Sequence, residues 1–330
     1  MKSGSDRLMI SVNGGLRRSR RWSTGNRVGS QPPRSCLAVL MILACLLAVA
    51  PFPAAAFGQG SPDPGHLGTL LPDRLPGKPD EQQAIRKDLT ALMLGYARHI
   101  AGIEVDAAEK VFLITKNRTR IEYDDGRPKT FEERLANPDL QDTLSQIYTP
   151  GEIDGAIPEG HDPGRFRVQG LFEAVYGSSH KEVKANLVQV AFCGRQVAFN
   201  SRNGASKALE RVGRELASLI KEKPALSKYV LPPAGTYNRR HIAGTSRLSP
   251  HAFGIAIDLN PRFGAYWRNH GNQTDTLTLR REYPAAIVDI FEKHGFIWGG
   301  KWDHFDLMHF EYRPELLAKA KLMNAGSQRP

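Results

Sequence analysis

The chain is poor in cysteine, with 3 in 330 residues, and two of them, Cys36 and Cys45, fall in the first 57. Only Cys193 remains beyond that point, so no intrachain disulfide can staple the body, whose stability must come from a hydrophobic core or a metal. A spread-out excess of positive charge is also missing. The net charge is +11, but of 45 Lys and Arg and 34 Asp and Glu, eight basic residues and a single acidic one, Asp6, precede residue 58. The remainder carries 37 against 33, too even a balance for a nucleic-acid footprint. There is no internal repeat and no alternating βαβ rhythm, which excludes solenoids and doubly wound sheets.

The first 57 residues hold an Arg-rich stretch, an uncharged apolar run over 36–50 and Ala54-Ala55-Ala56 after two prolines. That is the order of a secretory signal cleaved after Ala56. An uncleaved membrane anchor is the alternative, because the basic region is long and the apolar run lies near the short limit for spanning. Either way the body is expected outside the cytoplasm, periplasmic or extracellular, with a membrane tether through the leader in the second case. Residues 58–80 are rich in Pro and Gly without apolar period and read as a linker.

The chain is long enough for a domain of about 200 residues with extra segments. It is read as one domain over 81–330 with an N-terminal helical extension. Ile85, Leu89, Leu92, Met93, Tyr96 and Ile100 fall at helical spacing. Residues 110–126 suggest two short strands ending at Asp-Gly, and 130–148 a broken helix. Two strand-like runs over 186–200 flank Cys193-Gly194, a hairpin turn rather than a nucleophile. Helices are expected over 203–220 and 284–294, the second stopped by Gly295. These elements make an α+β fold, with a small antiparallel sheet flanked by helices.

The chemistry concentrates in "RLSPHAFGIAIDLNP", residues 247–261. In a strand over 254–260, Ile255, Ile257 and Leu259 share one face, and Gly254, Ala256 and Asp258 the other. The second face is a floor of small side chains ending in a carboxylate, over which His251, from a Ser-Pro turn, can curl. A catalytic zinc takes three protein ligands and leaves a fourth position open. The third comes most naturally from "GGKWDHFDLMHFEYRPE", residues 299–315, where His309 projects from a second strand and Asp306 stands just before it as a candidate proton acceptor. On spacing alone His304 and Asp303 compete as ligands, and Glu311 competes with Asp306 as base.

Ser249-x-His251-x-x-Gly254-x-Ala256-x-Asp258, followed by Asp306-x-x-His309, resembles the paired motif of the M15 metallopeptidases, the D-alanyl-D-alanine carboxypeptidase and endolysin group related to lysostaphin. "DPGRFRVQGLFEAVYG", "GTYNRRHIAGTSRLSPHAFGIAIDLN" and "GFIWGGKWDHFDLMHFEYRPE" extend the resemblance over roughly 110–318. It implies a zinc site on the sheet, of the lysostaphin and hedgehog type, with His251, Asp258 and His309 as ligands and Asp306 as general base. It also implies that Arg240, assisted by Ser249, binds substrate or the developing oxyanion. Arg239 departs from the pattern, which often has an aromatic residue there. The expected activity is zinc-dependent hydrolysis of peptidoglycan stem peptides or cross-links, by a D,D-carboxypeptidase or an endopeptidase. A carboxypeptidase needs a cation for the terminal carboxylate, for which Arg239, Arg240 and Arg247 are candidates. The alternative is a non-catalytic cell-wall binding module that keeps the fold, against which the presence of Asp306 counts.

Overall fold

The computed structural model describes residues 70–242, residue 245, residues 247–270 and residues 275–327. The expected leader, 1–57, and most of the linker lie outside the described residues, all of which fall in one unit, 52–330. No helix among them is long and apolar enough to cross a membrane.

Helix α1, Pro79–Tyr96, begins with proline in its first turn and the acidic pair Asp80 and Glu81, which complement the helix dipole. Its buried side includes Leu89, Leu92, Met93 and Tyr96. The helical spacing stops there: Ile100 opens strand β1, Ile100–Val105, instead of extending the helix. The run "IAGIEV" carries the β-branched residues of a strand, and it pairs antiparallel with β2, Val111–Thr115, which pairs in turn with β3, Arg120–Glu122. Two short helices, α2 (Phe131–Ala136) and α3 (Leu140–Ser145), make the broken helix, each with a side-chain capping box. Two more, α4 (Gln169–Tyr176) and α5 (His180–Asn186), lead into a hairpin of β4, Leu187–Phe192, and β5, Arg195–Asn200. Cys193 and Gly194 both take positive φ, 45° and 78°, the backbone of a tight two-residue hairpin turn.

Helix α6, Ala205–Glu222, lies on this hairpin, and its Gly213 is required: a Cβ there would meet Ala191 O at 2.9 Å. After α7 (Ser227–Val230), the third sheet has the order β6-β8-β7, all antiparallel, from Ala256–Asp258, His309–Tyr312 and Phe296–Trp298. Helices α8 (Thr276–Glu282) and α9 (Ala285–Lys293) precede β7, and α10 (Pro314–Ser327) closes the chain.

The N-terminal extension belongs to the same core as the rest. Leu75, Leu89, Leu92 and Tyr96 join one hydrophobic cluster with Ile255, Ile257 and Phe310. Helix α1 packs along α10, where Asp88 pairs with the buried Lys319 and accepts from Tyr123 Oη at 2.7 Å.

Strand β6 starts at Ala256, two residues later than the alternation predicts. Gly254 instead ends a 3-10 turn, Pro250–Phe253, with φ at 66°. Its missing side chain makes room for the hairpin, since a Cβ would meet Leu187 Cδ2 at 2.6 Å. Gly254 therefore serves packing rather than a ligand's space.

Candidate metal centre

Three elements bring the site together. The 3-10 turn is capped by Ser249, whose Oγ accepts from His251 N at 3.3 Å, and is tied to the hairpin by Asn200, whose Nδ2 donates to Phe253 O at 2.9 Å. Strands β6 and β8 place Asp258 directly opposite His309. Residues 234–236 run along the other edge of β6 through a bridge between Gly235 and Asp258. Thr236 O thereby comes within 2.6 Å of His251 Nδ1.

The donor atoms converge. His251 Nε2 lies 3.2 Å from Asp258 Oδ2 and 3.2 Å from His309 Nδ1, and His309 Nδ1 lies 2.7 Å from Asp258 Oδ1. These three side chains form a group whose donor atoms all lie within 4.8 Å of one another.

The ring protons bear on whether these side chains could hold a cation. A carbonyl oxygen can only accept, so His251 carries its proton on Nδ1 toward Thr236 and offers the Nε2 lone pair inward. His309 Nε2 lies 3.0 Å from Glu311 Oε1. Burial would raise the Glu311 carboxyl, but Arg167 and His309 hold it well below the usual range, so it is an acceptor and His309 Nδ1 faces inward. Two imidazole lone pairs and a carboxylate pointing at one position repel each other unless a cation or proton stands between them. Two nitrogens and one oxygen suit zinc with a fourth position open.

Glu311 is therefore placed to orient His309. It is fully buried, engaged by Arg167 Nε at 3.1 Å and by Arg167 Nη2, and approached by Arg313 Nη1 at 3.4 Å. Glu311→Gln is expected to weaken zinc binding about 10- to 100-fold without removing a ligand, measured by competition with a chromogenic chelator. Unchanged affinity would show that the carboxylate does not orient His309.

Asp306 stands next to the group, fixed by its backbone. Its N–H donates to Gly299 O at 3.0 Å, and it forms a bridge with Tyr266. Gly299 permits the approach, since a Cβ there would meet Asp306 O at 2.6 Å. Asp306 Oδ1 is buried without a hydrogen-bond partner. Burial pushes its carboxyl up to about 6, against the pull of the nearby His309.

The competing ligands lie elsewhere. His304 Nδ1 is 2.7 Å from Asp162 Oδ2 with its ring stacked on Phe131, and Asp303 accepts from Gly160 N at 2.8 Å. Arg240 is exposed, and its guanidinium has no ion pair among the described residues. Its carbonyl accepts from Ser249 N at 3.0 Å. Ser249, expected near the substrate, is 3 % exposed and occupied as the cap of the His251 turn. The sequence reading missed Thr236 and Arg167 and left Glu311 in another role. Only Glu311 carried a signal, two residues from His309 on the same strand face.

A cavity of about 400 Å³ lined by Gly151, Asp154, Arg280, Tyr283, Asp289 and Trp298 includes none of the metal-site side chains.

No curated protein and no solved structure matches the chain. Residues 243–312 match the family model described as D-alanyl-D-alanine carboxypeptidase. This stretch holds His251, Asp258, Asp306, His309 and Glu311, so the similarity to an M15-type peptidase falls on the candidate site.

Proposed function

We propose that the chain is a zinc-dependent peptidase that hydrolyses peptide bonds in peptidoglycan stem peptides or cross-links, outside the cytoplasm. The observation that carries this reading is the convergence of His251, Asp258 and His309 beside a carboxylate, Asp306, that has an unpartnered oxygen. The match to a D-alanyl-D-alanine carboxypeptidase model over the same residues supports the substrate class. The leader expected in 1–57 supports the location, since peptidoglycan lies beyond the membrane.

His251, Asp258 and His309 would hold the zinc, which when bound polarises a scissile carbonyl and lowers the pKa of water. The protein supplies the proton traffic. Asp306, raised to about 6, is ionised near neutrality yet basic enough to take a proton from the attacking water. The same carboxyl then returns the proton to the departing amine. Neither histidine competes for this task, because each holds its proton away from the cleft, toward Thr236 or Glu311. Arg240, exposed on the segment whose backbone holds Ser249, is assigned to the substrate or its developing oxyanion.

The test is digestion of isolated peptidoglycan by the zinc-loaded protein, with a chelated control and mass spectrometry of the soluble fragments. Loss of one alanine per stem establishes carboxypeptidase action, and separation of cross-linked stems establishes endopeptidase action. Equal fragment patterns with and without chelator would overturn the reading.

A further inference from the structure

Two buried polar atoms complement each other. Ionised Asp306 Oδ1 can only accept, Tyr283 Oη can donate, and neither has a hydrogen-bond partner among the described residues. Tyr283 is 4 % exposed. A hydroxyl withdrawn that far from water without an acceptor is costly, and a bond to one would offset the cost. Burial, followed by Tyr229 and Asp306, pushes the Tyr283 phenol above its ordinary value, so near neutral pH it keeps its proton and can donate it.

The fold ties both residues to one turn. Tyr283 stands between α8 and α9, and its ring packs on the Trp298 indole with centroids 5.0 Å apart and planes inclined at 31°. Trp298 Nε1 donates to Leu307 O at 2.8 Å, and the next residue, Gly299, accepts from Asp306 N at 3.0 Å. Trp298 and Gly299 therefore hold the Asp306-Leu307 peptide and the Tyr283 ring together. Arg280 fastens the end of α8 to the same turn: its carbonyl accepts from Tyr283 N at 3.3 Å, while Nε donates to Gly300 O at 2.9 Å and Nη2 to Trp302 O at 2.8 Å. Tyr229, edge-on to Tyr283 at 5.6 Å, is the other phenol facing it. The charges facing Asp306 are His309, Asp258 and His251, none of which bonds to Oδ1.

We propose that Tyr283 is a positioning residue for Asp306: its hydroxyl hydrogen-bonds through one water to Asp306 Oδ1 and fixes the carboxylate so that Oδ2 carries the proton. This rests on the peptidase reading and deepens it. No direct bond joins the two side chains, and a water between them with Tyr283, Tyr229 and Asp306 as neighbours has about three polar partners, as buried waters do. The cavity of about 400 Å³ that Tyr283 and Trp298 both line gives water access to this side of the turn. A bond donated to the carboxylate favours its ionised form and stops the rotation that would exchange its two oxygens.

The test uses Tyr283→Phe in the zinc-loaded full chain, which keeps the ring on Trp298 and removes only the hydroxyl. On soluble cross-linked stem peptides, kcat is expected to fall about 10-fold, the scale of one hydrogen bond to a charged group, with KM and zinc affinity unchanged. Because the hydroxyl acts through Asp306, the same substitution should cost nothing further in the Asp306→Asn background. Independently of turnover, the Asp306 carboxyl carbon, followed by nuclear magnetic resonance, should titrate at higher pH in Tyr283→Phe than in the wild type. A carboxyl titration that does not move, a raised KM with kcat intact, or an equal loss of kcat with and without Asp306 each overturns the proposal. A high-resolution crystal structure of the zinc-loaded wild type needs no variant: one water within hydrogen-bond distance of both Tyr283 Oη and Asp306 Oδ1 supports the proposal, and its absence overturns it. No hydrolysis by the wild type, with the carboxyl titration still moved by Tyr283→Phe, would count against the peptidase reading and leave the link between Tyr283 and Asp306 standing.

Discussion

Asp306→Asn is expected to lower peptide turnover by roughly 100- to 10,000-fold, the usual contribution of a positioned general base, while zinc content stays unchanged. The asparagine side chain has the same shape and can still fill the turn between Gly299 and Tyr266, but it cannot take a proton. The wild-type rate should also climb as the pH rises through about 6, where the Asp306 carboxyl ionises. The sign follows from burial, which favours the neutral acid, so the working carboxylate appears only above that pH. That rising limb should be absent from Asp306→Asn. If zinc were lost together with activity, Asp306 would belong among the ligands and the role of base would pass elsewhere. Asp306→Glu, which keeps the carboxylate, is expected to retain activity.

The second large effect is a pH-dependent stabilisation by zinc. Burial alone would lower the His309 pKa, but Asp258 and Glu311 overcome it and raise the ring to about 10 in the metal-free protein. That raised value means the protonated His309 stabilises the metal-free fold fully below the ordinary histidine pKa of about 6.5, and the contribution fades as the pH rises toward 10. Asp258 works from the other side. Burial would raise it, yet the neighbouring His251 and His309 hold it well below the usual range, so its contribution is present above the ordinary aspartate pKa and lost on acidification. Zinc requires His309 without its Nδ1 proton, so zinc and proton compete for one position. The melting temperature of the zinc-loaded protein should exceed that of the chelated protein by little near pH 6 and by much more near pH 8. A difference that stays constant across that range would mean that His309 does not exchange a proton for the metal.

Much of this site was legible because its residues are fixed by local chemistry. Ser249 and Pro250 announce the turn that carries His251, and the antiparallel pairing of two short strands sets Asp258 opposite His309. The hairpin at Cys193-Gly194 and helices α6 and α9 follow from turn residues and apolar period. What stayed hidden depends on contacts distant in sequence. Thr236 reaches His251 only because 234–236 lies along β6, and Arg167 reaches Glu311 across 144 positions. No spacing rule encodes either contact. Gly254 misled for a related reason: alternation treated it as a strand residue, whereas its positive φ and the approach of Leu187 decide its identity. Ile100 was drawn into α1 because one apolar residue at helical spacing cannot reveal that the chain has turned at Ala97–His99 to begin β1.

X-ray absorption at the zinc edge of the zinc-loaded protein, compared with His309→Ala, reads the ligand shell itself. Zinc is expected to be bound by two imidazole nitrogens at about 2.0–2.1 Å and by carboxylate oxygen, with one imidazole lost in the variant. A wild-type protein that fails to retain zinc, or a ligand shell unchanged by removal of His309, would contradict this expectation.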